Sequence, residues 1–218
     1  MVNRAALEHD PIPLRIVKGH VYHKPHGIPY AHGCNPKLIR DLTEYWDGVD
    51  LDLRINKQKR GQCCHQECPT KKDAWFDPKH KINDRHKVQT LTNAECDRLR
   101  VKYKGSNRLL MSDVKAMQVC KNQGKIPCFE AKSDSGRNLF YDPEWWDGFR
   151  NRSIKVGIIP VVMSLPGSSK YNPGIKKLAA AHEAGLVTML LWRGAYPDSW
   201  NKHLDLVKSR PKHPIYRV

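Results

Sequence analysis

Apolar and acidic positions alternate across Val49-Asp50-Leu51-Asp52-Leu53, the period-two pattern of a strand with one apolar and one acidic side. Both aspartates then share one face of a sheet. Further along, Arg108-Leu109-Leu110-Met111 and Ile126-Pro127-Cys128-Phe129 are short apolar runs. Ser112-Asp113 closes the first and Glu130-Ala131-Lys132 the second, with Asn122-Gln123-Gly124-Lys125 as turn chemistry between them. The pattern predicts two neighbouring strands of one sheet whose ends gather Asp113, Glu130 and Lys132.

The carboxy-terminal half repeats a longer unit. Asp142-Pro143-Glu144 opens a helix through Trp145, Trp146, Phe149 and Ile154, Gly157 breaks it, and Ile158 to Ser164 is a continuous apolar strand signal. Asn172-Pro173 then opens a helix through Ile175, Leu178 and Ala181, Gly185 closes it, and Leu186 to Trp192 is a second apolar run. Strands apolar on both sides, alternating with helices, imply a mixed or parallel sheet covered on both faces. Shorter signals predict a helix from Pro36 through Trp46, another from Ala94 to about Tyr103 capped by Thr92-Asn93, and a last one over Ser199 to Lys208. The expected fold is α/β (α+β), a mixed central sheet flanked by helices in residues 37–218. A loop-rich arm rich in His and Pro precedes it at 1–36, and a zinc-stabilised loop-rich insertion interrupts it at about 60–90.

Charge narrows the function classes. Thirty-eight Lys and Arg against 22 Asp and Glu leave a formal +16, which favours a polyanionic partner and makes nucleic acid the expected one. Arg54, Lys57, Lys59, Arg60, Lys71 and Lys72, with Arg193 after the last apolar run, are the expected phosphate contacts. No apolar run reaches transmembrane length, and Met1 to Pro11 carries no signal-peptide apolar region, so a cytoplasmic or other intracellular protein is expected, away from the membrane. Seven cysteines, an odd number, point to a reducing compartment rather than a disulfide framework. Cys63, Cys68, His80 and His86 fall in a C-x4-C-x11-H-x5-H spacing that suits a structural Zn2+, with Cys64, His65, Cys34 and Cys96 as substitutes.

Asp113 followed 17 residues later by Glu130-x-Lys132 resembles the PD-(D/E)xK nuclease superfamily, with Ser112 where that family usually has proline. The resemblance implies an endonuclease in which Asp113 and Glu130 bind Mg2+ and Lys132 orients the attacking water. It also makes Glu95, on the preceding helix, an additional acid, and a homodimer the expected assembly on palindromic DNA. A weaker resemblance runs from Val88 to Arg98, which looks like the end of an HNH nuclease module with His80 as general base. There Lys87 stands at the expected Asn and Asp97 at the last His. Two further readings stand beside these: a non-catalytic zinc-containing nucleic-acid-binding or ribonucleoprotein component, and a nucleotidyl transferase built on Asp50 and Asp52.

Overall fold

The computed structural model describes residues 16–17, 20–21, 36, 48–69, 75–103, 106–132, 139–164 and 173–190. The expected helix after Pro36, Lys71, Lys72, Arg193, the last helix and nearly all of the 1–36 arm lie outside them. Two short strands of that arm, β1 (Ile16–Val17) and β2 (His20–Val21), pair antiparallel.

The chain is mixed α/β. Its centre is β3 (Gly48–Ile55), the alternating run, whose eight residues are all buried. A tight hairpin returns β4 (Gly61–Cys63) antiparallel along one edge of β3. On the other edge lies β8 (Ile126–Ala131), parallel, followed by β9 (Val161–Ser164) and β10 (Val187–Leu190), also parallel, in the order β10-β9-β8-β3-β4. The parallel strands after β8 are joined through helices, as parallel neighbours require. Asp142 caps the helix before β9 and Gly157, in the left-handed region at φ 75°, ends it, as the Asp-Pro and Gly signals predict.

Helix α1 (Asn93–Arg98) is short because the alternation Arg100-Val101-Lys102-Tyr103 takes over as a strand. Val101 is buried, and β5 (Trp75–Phe76), β6 (Arg100–Tyr103) and β7 (Ser106–Leu109) form a separate three-stranded antiparallel sheet. The predicted helix from Ala94 to Tyr103 is therefore half helix and half strand. The runs expected to be neighbouring strands also part company, because β7 belongs to the small sheet and β8 to the large one. Helix α2 (Asp113–Asn122) separates them. Its buried residues, Asp113, Ala116, Met117 and Cys120, follow the i, i+3, i+4, i+7 spacing of one helix face.

Residue parity divides the large sheet. Val49, Leu51, Leu53, Phe129, Ala131 and Val162 join the main core with α2, α3 (Pro143–Val156) and α4 (Pro173–Glu183). Cys128, Val161, Met163 and Met189 form a second apolar cluster on the opposite face, the one that also carries Asp50, Asp52 and Glu130. No helix of the described residues is long and apolar enough to cross a membrane.

The β3–β4 hairpin is pinned to the helices. Trp145 Nε1 donates to Lys59 O at 2.8 Å, and Arg152 on α3 forks onto Asp113 Oδ2 at 3.0 and 2.8 Å while lying over the Trp145 ring. Gly61 sits where a Cβ would come within 2.8–2.9 Å of Asp113. Both the turn and Asp113 are packed, so Gly61→Ala should lower stability by roughly 1–3 kcal/mol, read as a fall in urea midpoint at constant slope.

Candidate metal centre

Parallel pairing sets Asp52 beside Glu130 and Asp50 beside Cys128 in register. Because side chains of paired residues point the same way, the Asp50-x-Asp52 row and the Glu130 carboxylate meet on one sheet face. One oxygen from each of Asp50, Asp52 and Glu130 lies within 4.8 Å of the others, and the three residues are 3%, 0% and 4% exposed. Two ligands of one ion at about 2.0–2.6 Å are at most about 4–5 Å apart, so the three oxygens fit around a single cation, Ca2+ or Mn2+ most easily and Mg2+ after a small contraction.

Lys132, two residues past Glu130, turns its ammonium back between the acids. Its Nζ stands 2.6 Å from Asp52 Oδ1 and 2.7 Å from Glu130 Oε2. Burial pushes the Lys132 ammonium down, but the Asp52 and Glu130 carboxylates outweigh burial and raise it above the ordinary lysine value. Three carboxylates and one ammonium leave the quartet at −2. Buried charge is costly unless it is paired, and Asp52 Oδ2 accepts no hydrogen bond. A divalent cation would give that oxygen a partner. The residues therefore fit a hard, oxygen-loving ion.

The chain matches no protein-family model and no curated protein. The site has to be read from its own atoms.

Of the residues expected at the catalytic centre, Glu130 and Lys132 belong to the acid group, and Asp113 and Glu95 are placed elsewhere. Asp113 is the first residue of α2, fully buried, with its carboxylate taken by Arg152 and by the Val114 amide at 2.8 Å. Ser112, which stands where proline was looked for, is the helix cap and accepts from Lys115 N. Glu95 completes a capping box, accepting from the Thr92 amide at 2.8 Å and the Thr92 hydroxyl at 2.9 Å. Those two bonds hold its carboxyl below the usual range. Asp50 and Asp52, the pair that the nucleotidyl-transferase reading uses, are the acids beside Glu130.

The expected zinc ligands are not brought together. Among the described residues, no group of three or more Cys, His, Asp or Glu other than the acid triad could share an ion. Cys63 is fully buried in β4, its Sγ toward Ser112 O, and burial first, then Asp113, pushes its thiol up. His80 is exposed in a turn at φ 54°, and His86 bonds Asn83 Oδ1 at 2.9 Å on the next turn. His80 lies outside the acid group as well.

Among the expected phosphate contacts, Lys57 and Lys59 are exposed at the hairpin tip. Arg60 is drawn to Asp97 and Asn93 O. Arg54 is not on a loop at all. It is a buried β3 residue whose guanidinium donates to His65 O at 3.0 and 2.6 Å and lies 3.8 Å from Glu67, fixing the segment after β4 beside the acid row.

Proposed function

We propose that this chain is a divalent-metal-dependent phosphodiesterase, with Asp50, Asp52 and Glu130 as ligands of Mg2+ or a similar ion and Lys132 as the cation beside it. The observation that carries the reading is the meeting of the Asp50-x-Asp52 and Glu130-x-Lys132 side chains on neighbouring strands. A bound divalent ion supplies Lewis-acid polarisation of a phosphoryl oxygen and acidifies a water. Asp50, Asp52 and Glu130 fix where that ion sits relative to the sheet. Lys132, cationic at neutral pH, turns from the carboxylates to a non-bridging phosphate oxygen or to the attacking water, both of which its three donors can orient.

Nucleic acid is the substrate class that the +16 charge favours, with Lys57 and Lys59 as exposed backbone contacts, and endonucleolytic cleavage of DNA is the form that the PD-(D/E)xK resemblance suggests. The depth of the acids favours a second substrate, a small organic phosphodiester that can enter whole, because no carboxylate of the triad is more than 4% exposed. Six cysteines in no disulfide among the described residues suit a reducing, intracellular compartment.

The test gives the full chain bis(4-nitrophenyl) phosphate, supercoiled plasmid and single-stranded DNA, each with Mg2+, Mn2+ or chelator. The expected outcome is metal-dependent hydrolysis that chelation ends. Nicking of plasmid assigns DNA, and hydrolysis of the small diester alone assigns the compact substrate. Binding of DNA with no hydrolysis under any metal would leave a nucleic-acid-binding protein.

A further inference from the structure

We propose that Lys177 of α4 is a positioning residue for the metal centre, holding the end of β8 that carries Glu130 and Lys132; the inference rests on the phosphodiesterase reading of that centre. Lys177 is 2% exposed, and its Nζ donates to Ala131 O at 2.7 Å while standing 5.8 Å over the Phe140 ring. An ammonium is seldom buried so deeply without a task, because desolvation is costly and must be offset by directed partners.

The bond falls on the peptide that matters. Ala131 lies between Glu130 and Lys132, and the peptide from Ala131 to Lys132 is a planar trans unit whose C=O and N–H point in opposite directions. The Lys132 N–H donates to Leu53 O of β3 at 3.1 Å, so the Ala131 carbonyl points away from β3 toward the β9 side. The register between β8 and β9 ends at Glu130 and Met163, one residue short of that carbonyl. Lys177 thus donates just beyond the paired register. One end of the peptide is held by the strand that bears Asp50 and Asp52, the other by the helix. Its release would free the strand end and let the Glu130 carboxylate drift from Asp50 and Asp52, whose oxygens lie within 4.8 Å of it.

A residue that only stabilised the fold would change unfolding and leave the metal affinity of folded protein alone. The experiment therefore measures Mn2+ binding to folded wild type, Lys177→Met, Lys177→Gln and Lys177→Arg, with Glu130→Gln as the control for the centre itself. Wild type should bind Mn2+ and Glu130→Gln should not. Lys177→Met and Lys177→Gln should bind about tenfold or more weakly, as expected for loss of a group supporting a ligand, and Lys177→Arg should recover most of the affinity. Met or Gln variants that fold and bind as wild type would overturn the assignment and leave the centre standing. Failure of both to fold, with Lys177→Arg normal, would make Lys177 a fold determinant and also overturn it. Absence of Mn2+ from wild type would overturn the centre and this role together.

Discussion

Asp52→Asn and Glu130→Gln should lose metal-dependent hydrolysis by about 10³-fold or more, while Asp113→Asn should retain it wherever it folds. Each amide keeps the side chain's size and removes a negative charge. Asp52 and Glu130 sit side by side in register and share Lys132, so either change leaves the ion short of a ligand and the ammonium short of a partner. Asp113 by contrast is bound to Arg152. Its amide breaks a buried, bidentate pair and is read in stability, not in turnover per folded molecule. Steady-state rates on the small diester, normalised to folded protein by near-ultraviolet dichroism, check both halves.

Lys132→Met gives the second large effect, and its sign depends on metal. Without an ion, methionine leaves the Asp52 and Glu130 carboxylates buried with no ammonium between them. Breaking such a pair costs about 3–5 kcal/mol, which for a chain of this size is a drop of roughly 6–20 °C in Tm. A saturating divalent ion restores the counter-charge and binds this variant more tightly, since the quartet's −2 becomes −3 once the ammonium is gone. The Mn2+-induced rise in Tm should thus be larger for Lys132→Met than for wild type, yet turnover should fall by about 10²–10³-fold because nothing orients the phosphate or the water. The pH dependence follows from the raised Lys132 ammonium. Its contribution is full below the unfolded lysine value and is lost as pH rises through the higher folded one, so the stability gap to Lys132→Met persists through neutral pH and closes only in strong alkali. A gap that closed between neutral pH and pH 9 would contradict the assignment of Lys132 as the bridging cation.

Much of the large sheet is legible from short patterns. The alternation of Val49 to Leu53, the Asp-Pro and Gly stops around α3, and the apolar runs of β9 and β10 each state a strand or helix without reference to the rest of the chain. The acid site was only half legible. Glu130-x-Lys132 could be read as chemistry, and Asp50-x-Asp52 as a shared face, but pairing them is a fact of long-range register, 78 residues apart between Asp52 and Glu130. The nearer acid, Asp113, drew the match because its place looked like a strand end. One local signal argued otherwise: Ser112 followed by Asp113, Ala116, Met117 and Cys120 is a capped helix with a regular buried face. Glu95 carried a similar warning, since Thr92-x-x-Glu95 is a capping-box spacing. The spaced Cys and His residues are not gathered among the described residues, for a different reason. Ligand spacing says nothing of burial, and Cys63 belongs to a fully buried strand while His80 lies on an exposed turn. Lys177 and Arg54 could not be found as polar anchors from sequence, because each acts on a backbone carbonyl that only the fold brings near.

The most direct measurement is the stoichiometry of Mn2+ bound to metal-free protein, followed by electron paramagnetic resonance of the free ion, in wild type, Asp52→Asn and Asp113→Asn. The account predicts a specific site filled once per chain in wild type, still filled in Asp113→Asn and abolished in Asp52→Asn. A site kept in Asp52→Asn and lost in folded Asp113→Asn, or no bound ion in wild type at millimolar Mn2+, would contradict it.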